Sequence, residues 1–158
     1  MPSWTQRPQA SAAFLNPALV AAVTATAARD YERASSGALM PWPMAFVVAP
    51  LVLHRPTRRV LPISTRTHLA NWVAAHPVLV AGMGARCTSL ASPVREGLRF
   101  GLRHQMLTIE HGFLKSSIPA KSHPRGELAD LIKAASLMGR WTSKSEPSTV
   151  FALLGVRP

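Results

Sequence analysis

Arg95, Arg99 and Arg103 stand four residues apart in the run Ser92–Leu107. On a helix that spacing places all three on one stripe. A guanidinium is a planar fork of donors that matches phosphate or carboxylate. A row of them suits DNA phosphates and guanine edges, or an acidic protein surface. The same spacing also describes a solvated helix face, so contact and solvation both remain open. Arg55, Arg58, Arg59, Arg66 and Lys115 add candidate backbone or acidic-partner contacts. Between His54 and Lys115 nine bases meet only Glu96 and Glu110, so this stretch carries +7.

Other chemistry finds little support in the residues. The histidines are His54, His68, His76, His104, His111 and His123, with no HExxH pair and no CxxC beside them. A zinc site would therefore need long-range assembly. Asp30 and Glu32 are two apart and diverge on a helix, whereas Glu127 and Asp130 share a face. The latter pair sits in a helical first turn, where acids favour the macrodipole. GxxxxGK[ST], GxGxxG and GxSxG are missing, and Gly82-Met83-Gly84 lacks a third glycine. The expectation is a chain that is not an enzyme, with no catalytic residue, cofactor or metal. Cys87 is the single cysteine, which precludes an intrachain disulfide and fits a reducing compartment.

The elements that must position the arginines follow from periodicity and punctuation. Residues 1–15 read as a polar, proline-bearing arm with Trp4 and Phe14 as docking points. Asn16-Pro17 is an N-cap followed by a first-turn proline. Leu19, Val20, Val23, Ala27 and Tyr31 then have helical spacing, which predicts a helix over 18–33. Pro41-Trp42-Pro43 is extended. MAFVVAPLVLH reads as a buried helix kinked near Pro50, and 55–62 as a loop rich in arginine and proline. Ser64 is expected to cap a helix over 65–76 that Pro77 stops. A second helical piece over 78–90 is weakened by Gly82 and Gly84. Ser92-Pro93 signals a fresh helix start, with 94–104 as the arginine-bearing helix. Leu107-Thr108-Ile109 and Phe113-Leu114-Lys115 flank Glu110-His111-Gly112 as a hairpin. An amphipathic helix follows over 127–141. The apolar tail STVFALLGVRP is expected to pack on the body or on a partner.

Helix, helix, helix, hairpin is the order of a winged helix-turn-helix, here across 64–115. The fold class is therefore mainly α, a helical domain with a winged helix-turn-helix-like unit and a short β-hairpin. A single domain is expected over 1–158: the arm, a helical segment at 16–63, the winged-helix-like unit at 64–115, and C-terminal helices at 127–158. With 158 residues and 47% apolar content, one sizeable core is within reach. Lys and Arg total 18 against 7 acids, for a net charge of +11. Four lysines leave fourteen arginines. Such a surplus allows nucleic acid, an anionic surface or an acidic protein as partner, and equally a role in solubility alone. MAFVVAPLVL is far shorter than the ~20 residues of a spanning helix. The first residues lack the basic start and apolar run of an export signal. The expected location is cytoplasmic, with no membrane contact.

The run PWPMAFVVAPLVLHRPTRRVLPISTRTHLANWVAAHP resembles the middle component of three-component ABC systems of bacteria. So do SPVREGLRFGLRHQML, LMGRW and the closing FALLGVRP. LHRPTR, STRT and LLGVRP in that order are together fairly specific, and the likeness extends from Asn16-Pro17 to the C-terminus. Such systems look like conflict or anti-phage modules. They join a chromosome-maintenance-like (SMC-like) ABC ATPase to a small middle subunit and an effector, often a nuclease. The resemblance implies a non-catalytic accessory subunit coupling ATPase to effector in defence, with DNA contact left open. The residues alone also admit a free-standing winged-helix transcriptional regulator.

Overall fold

The computed structural model describes residues 15–120 and 123–157. The arm at 1–15, with Trp4 and Phe14, lies outside the described residues apart from Leu15. Eight α-helices are described: α1 (Pro17–Ala34), α2 (Ala45–Leu53), α3 (Arg55–Arg59), α4 (Leu69–Ala75), α5 (Pro77–Ala81), α6 (Met83–Arg103), α7 (Gly126–Thr142) and α8 (Pro147–Leu153). Strands β1 (Met40–Pro41), β2 (Leu107–Glu110) and β3 (Phe113–Ser116) form an antiparallel sheet of order β1-β3-β2. The fold is mainly helical with a small β-hairpin, as the residue pattern predicts.

Helix α1 is the axis of the core. Asn16 caps it by accepting from the Ala18 amide at 2.9 Å, and Pro17 opens its first turn. Val20, Val23, Ala25, Ala27 and Ala28 are fully buried. The helix is covered by α7, α6, α2 and β3. Alanines thin it enough for such enclosure. Gly97 on α6 and Gly139 on α7 complete the fit. A Cβ on Gly139 would run into the Ala27 backbone carbonyl, and one on Gly97 into the Val20 side chain.

Helix α2 begins after a 3-10 turn, Trp42–Met44, and passes through Pro50. Ala45, Val47, Val48, Ala49 and Val52 are fully buried. Burial of this segment offsets the hydrogen bond that Pro50 forfeits. The hairpin turns at His111 (φ 51°) and Gly112 (φ 86°). Two positive φ values at the central residues define a type I′ turn, whose twist suits the strands. Met40 pairs with Leu114 and makes the third strand, which the sequence signals only as an extended Pro41-Trp42-Pro43.

Four local expectations need correction. Arg55–Arg59 is a short helix rather than loop. The helix expected from 65 begins at Leu69 instead. Ser64 accepts only from the Arg66 amide, at 3.4 Å. Thr65 and Thr67 direct their carbonyls to Lys144 Nζ (2.9 Å) and Trp141 Nε1 (2.7 Å), so this stretch is tied to the end of α7 and the turn after it rather than wound into a helix. The expected break at Ser92-Pro93 is absent: α6 runs unbroken through Pro93. The piece expected over 78–90 is divided instead between α5 and α6 at Gly82. Pro93, Val94, Gly97, Leu98 and Gly101 are buried, and their packing outweighs the missing proline N–H, a loss of about 3 kcal/mol. The hairpin draws its neighbours from α1, α6 and β1, hence from 17–53 as well as 64–115.

Asp30 is a charged group inside this core, 6% exposed. Arg29 grips it with two hydrogen bonds, at 2.9 and 3.1 Å, and reaches the Pro119 carbonyl at 2.9 Å. Arg33 lies 3.7 Å away. Burial pushes the Asp30 carboxyl up, but hydrogen bonds from Arg29 and Ser136 and the two guanidinium charges outweigh it, leaving the pKa below the ordinary value.

Two measurements check this core. Gly139→Ala is expected to lower the urea-unfolding free energy by about 2 kcal/mol or more. Gly84→Ala, whose new Cβ would sit 3.8 Å from the Gly155 carbonyl, leaves stability equal or raised. A depressed carboxyl pKa contributes stability that is present above the unfolded value and lost as pH falls through the folded one. The urea midpoint of the native protein should therefore fall as pH drops below about 5. That of Asp30→Asn should start lower at neutral pH and fall less.

Candidate functional site

The sequence-predicted arginines divide between two clefts and open surface. Arg95 and Arg99 border a groove of about 730 Å³. Arg55, Arg58 and Arg59 line a second cleft of about 850 Å³. Arg66, Arg103 and Lys115 line neither and are exposed. Lys115 lies 3.6 Å from Glu110 across the hairpin.

The groove is built in steps from local structure. Its hairpin end is set by the type I′ turn: Gly112 presents its carbonyl to the Trp42 amide at 3.1 Å. The Trp42 ring then meets Phe46 edge-on at 5.8 Å. The Arg95 guanidinium lies 6.0 Å from the Phe46 ring centroid, within cation–π range. Leu98 and Leu102 continue the floor along α6. The far wall is the C-terminal segment. Val150, Phe151 and Leu154 bury themselves in the body. Gly155 (φ 65°) ends α8 in a Schellman turn, with the Gly155 amide on Ala152 and the Val156 amide on Phe151. That reversal sets Phe151, Val156 and Arg157 along the groove. Three guanidiniums thus surround an apolar floor, and no acidic residue among those described lines it.

Trp42, Phe46, Phe151, Val156 and Arg157 were not singled out by arginine spacing. Their signal was the apolar C-terminal tail and the Pro-Trp-Pro step. Trp42 is 44% and Leu102 37% exposed, in a chain whose other tryptophans described here are buried. Cys87 also lines the groove, 8% exposed. Burial pushes its thiol up to about 11, against a smaller opposing pull from Arg86. It is therefore a poor nucleophile and packs as a small apolar side chain.

The second cleft is a mixed ionic surface. Arg55, Arg58, Arg59, Lys133 and Arg140 face Glu127 and Asp130 there. Arg58 has a structural role: Nη1 donates to the Val52 carbonyl at 2.7 Å, and Nη2 pairs with Glu127 at 3.1 Å. Within a helix, Val52 would accept from residue 56, but Pro56 has no N–H. Arg58 supplies the missing donor and is nine-tenths buried in doing so.

Three histidines serve local structure. His54 caps α3, its Nδ1 lying 2.7 Å from Thr57 Oγ1, and burial followed by the Arg86 charge lowers its pKa. His76 stacks on Trp72 at 4.8 Å, and His104 lies against Phe100 at 4.1 Å. Among the described residues, no group of three or more His, Cys, Asp or Glu is placed to hold a metal ion. No described helix is long and apolar enough to cross a membrane.

The chain belongs to the family described as ABC-three component (ABC-3C) system Middle Component 3, whose model matches residues 4–158. It is thus a component of a three-component ABC system, and such a system implies partner subunits. No curated protein and no solved structure matches the chain.

The divided roles of the arginines are testable. Arg58→Ala is expected to cost about 2 kcal/mol in urea unfolding, because a charged donor leaves a helix carbonyl unpaired. Arg55→Ala and Arg59→Ala should stay within about 0.5 kcal/mol of the native protein.

Proposed function

We propose that this middle component is a non-catalytic adaptor that couples an ABC, SMC-like ATPase subunit to an effector in a bacterial defence system. The supporting observation is the open apolar groove edged by Arg95, Arg99 and Arg157. An exposed apolar surface with a charged rim fits a protein contact. A member of a multi-subunit family has partners to cover it. The protein acts in the cytoplasm, where such systems meet foreign nucleic acid. Arg95, Arg99 and Arg103, all exposed on α6, also offer a surface for DNA phosphates wherever no partner subunit covers them.

A competing reading is a free-standing winged-helix regulator. It is supported by the succession of an arginine-bearing helix, α6, and the β2-β3 hairpin within a β1-β3-β2 sheet. Apolar Trp42, Phe46 and Leu102 beside the stripe weigh against it, because a groove-reading helix meets a polar, charged surface.

Co-expression with the ATPase and effector subunits of the same system tests the adaptor reading. The expected result is co-elution of all three through size-exclusion chromatography. A monomer without affinity for either subunit overturns it. A dimer that binds one DNA sequence without the other subunits establishes the regulator instead. Where the protein on its own binds duplex DNA, its affinity should fall steeply with salt. Alanine at Arg95, Arg99 or Arg103 should flatten that slope, and an unchanged slope removes the stripe from the DNA interface.

A further inference from the structure

We propose that the groove receives an amphipathic helix from a partner subunit, with an apolar stripe on its floor and two acidic residues one turn apart against Arg95 and Arg99. This deepens the adaptor reading and rests on it. Several features of the groove select that occupant. Its floor is aromatic and aliphatic, with Trp42, Phe46, Leu98, Leu102 and Phe151 contributing. Such a surface takes the i, i+3, i+4, i+7 face of a helix. Arg95 and Arg99 are one turn apart on α6, so their side chains repeat about 6 Å along the groove edge. Acids at i and i+4 on a docked antiparallel helix repeat at the same interval.

Charge complementarity favours an acidic occupant. Arg95, Arg99 and Arg157 line the groove, with no carboxylate among the described lining residues. Arg95 is already oriented by the Phe46 ring, so less freedom is lost when it pairs. The groove is also framed by two hydrogen-bonded turns. The hairpin turn holds Trp42 on one side and the Schellman turn holds Val156 on the other. A preformed site of this kind binds with a small ordering penalty.

The test uses the full chain with its ATPase and effector subunits, and overlapping synthetic peptides covering both. One acidic, amphipathic peptide should bind and change the fluorescence of the partly exposed Trp42. The double variant Arg95→Glu/Arg99→Glu should weaken that peptide and the complex by at least about tenfold. Reversing the two acids of the peptide to lysine should restore binding to the double variant. Thr88→Trp, at an exposed groove position, should block the site by filling it while leaving the charges intact. Circular dichroism and melting confirm that each variant is folded. If the three subunits assemble and both variants leave the complex unchanged, the groove proposal falls while the adaptor reading stands. If the subunits do not assemble, the adaptor reading falls and takes the groove proposal with it. Displacement of the peptide by a fatty acid at similar affinity, with no effect of charge reversal, assigns the groove to a small apolar ligand and overturns the helix.

Discussion

Helix α1 lies so close to its neighbours that two crossings leave no room for a side chain. At Gly139 the α7 backbone meets the Ala27 carbonyl, and at Gly97 α6 meets Val20. Contacts this close remove the central helix from water over most of its surface and give dense dispersion contact. They also set where α6 and α7 lie. Because α6 is placed by Gly97 and Gly101 against α1 and Leu107, its opposite face, carrying Arg95 and Arg99, must look outward. The orientation of the candidate site is thus a consequence of small residues on the hidden side.

A second constraint comes from backbone groups that irregular segments leave without partners. The chain between α3 and α4 runs beside the core without regular structure, so its carbonyls need donors. Two indoles and a lysine provide them: Trp72 Nε1 to Val60 (2.8 Å), Trp141 Nε1 to Thr67, and Lys144 to Thr65. The two tryptophans meet edge-to-face at 5.6 Å, so one aromatic pair both packs and anchors the loop. Arg58 does the same for the Val52 carbonyl that Pro56 leaves orphaned. Arginine in this chain is thus partly a backbone-satisfying residue, and only part of the positive surplus faces outward.

The outward part is not a uniform basic field. In the second cleft, cations are interspersed with Glu127 and Asp130, which lowers the local potential. In the groove, guanidiniums border an apolar floor without acids among the described lining. Electrostatics there would select and orient a partner, while apolar burial would supply most of the binding free energy. The two clefts therefore offer different chemistry despite similar arginine content, and the composition figure of +11 cannot distinguish them.

Much of the fold was legible in the residues. Asn16-Pro17 set the start of α1, the His111-Gly112 pair set the hairpin, and the 3.6-residue period of Leu128, Leu131, Ala135 and Met138 set α7. These signals are local, and local physics decides them. The stretch at 64–68 and the junction at Ser92-Pro93 depart from their local signals for one reason. Capping and proline rules describe an isolated chain, and tertiary partners overrode them: Lys144 and Trp141 took the carbonyls of 65 and 67, and packing against α1 offset the bond lost at Pro93. The site was half legible. The spacing of Arg95 and Arg99 announced a shared helix face, and the apolar C-terminus announced a docked tail. That Trp42, Phe46 and Val156 join them in one groove depends on residues far apart in sequence. Only the packing of the hairpin turn and the α8 reversal onto α6 brings those residues together.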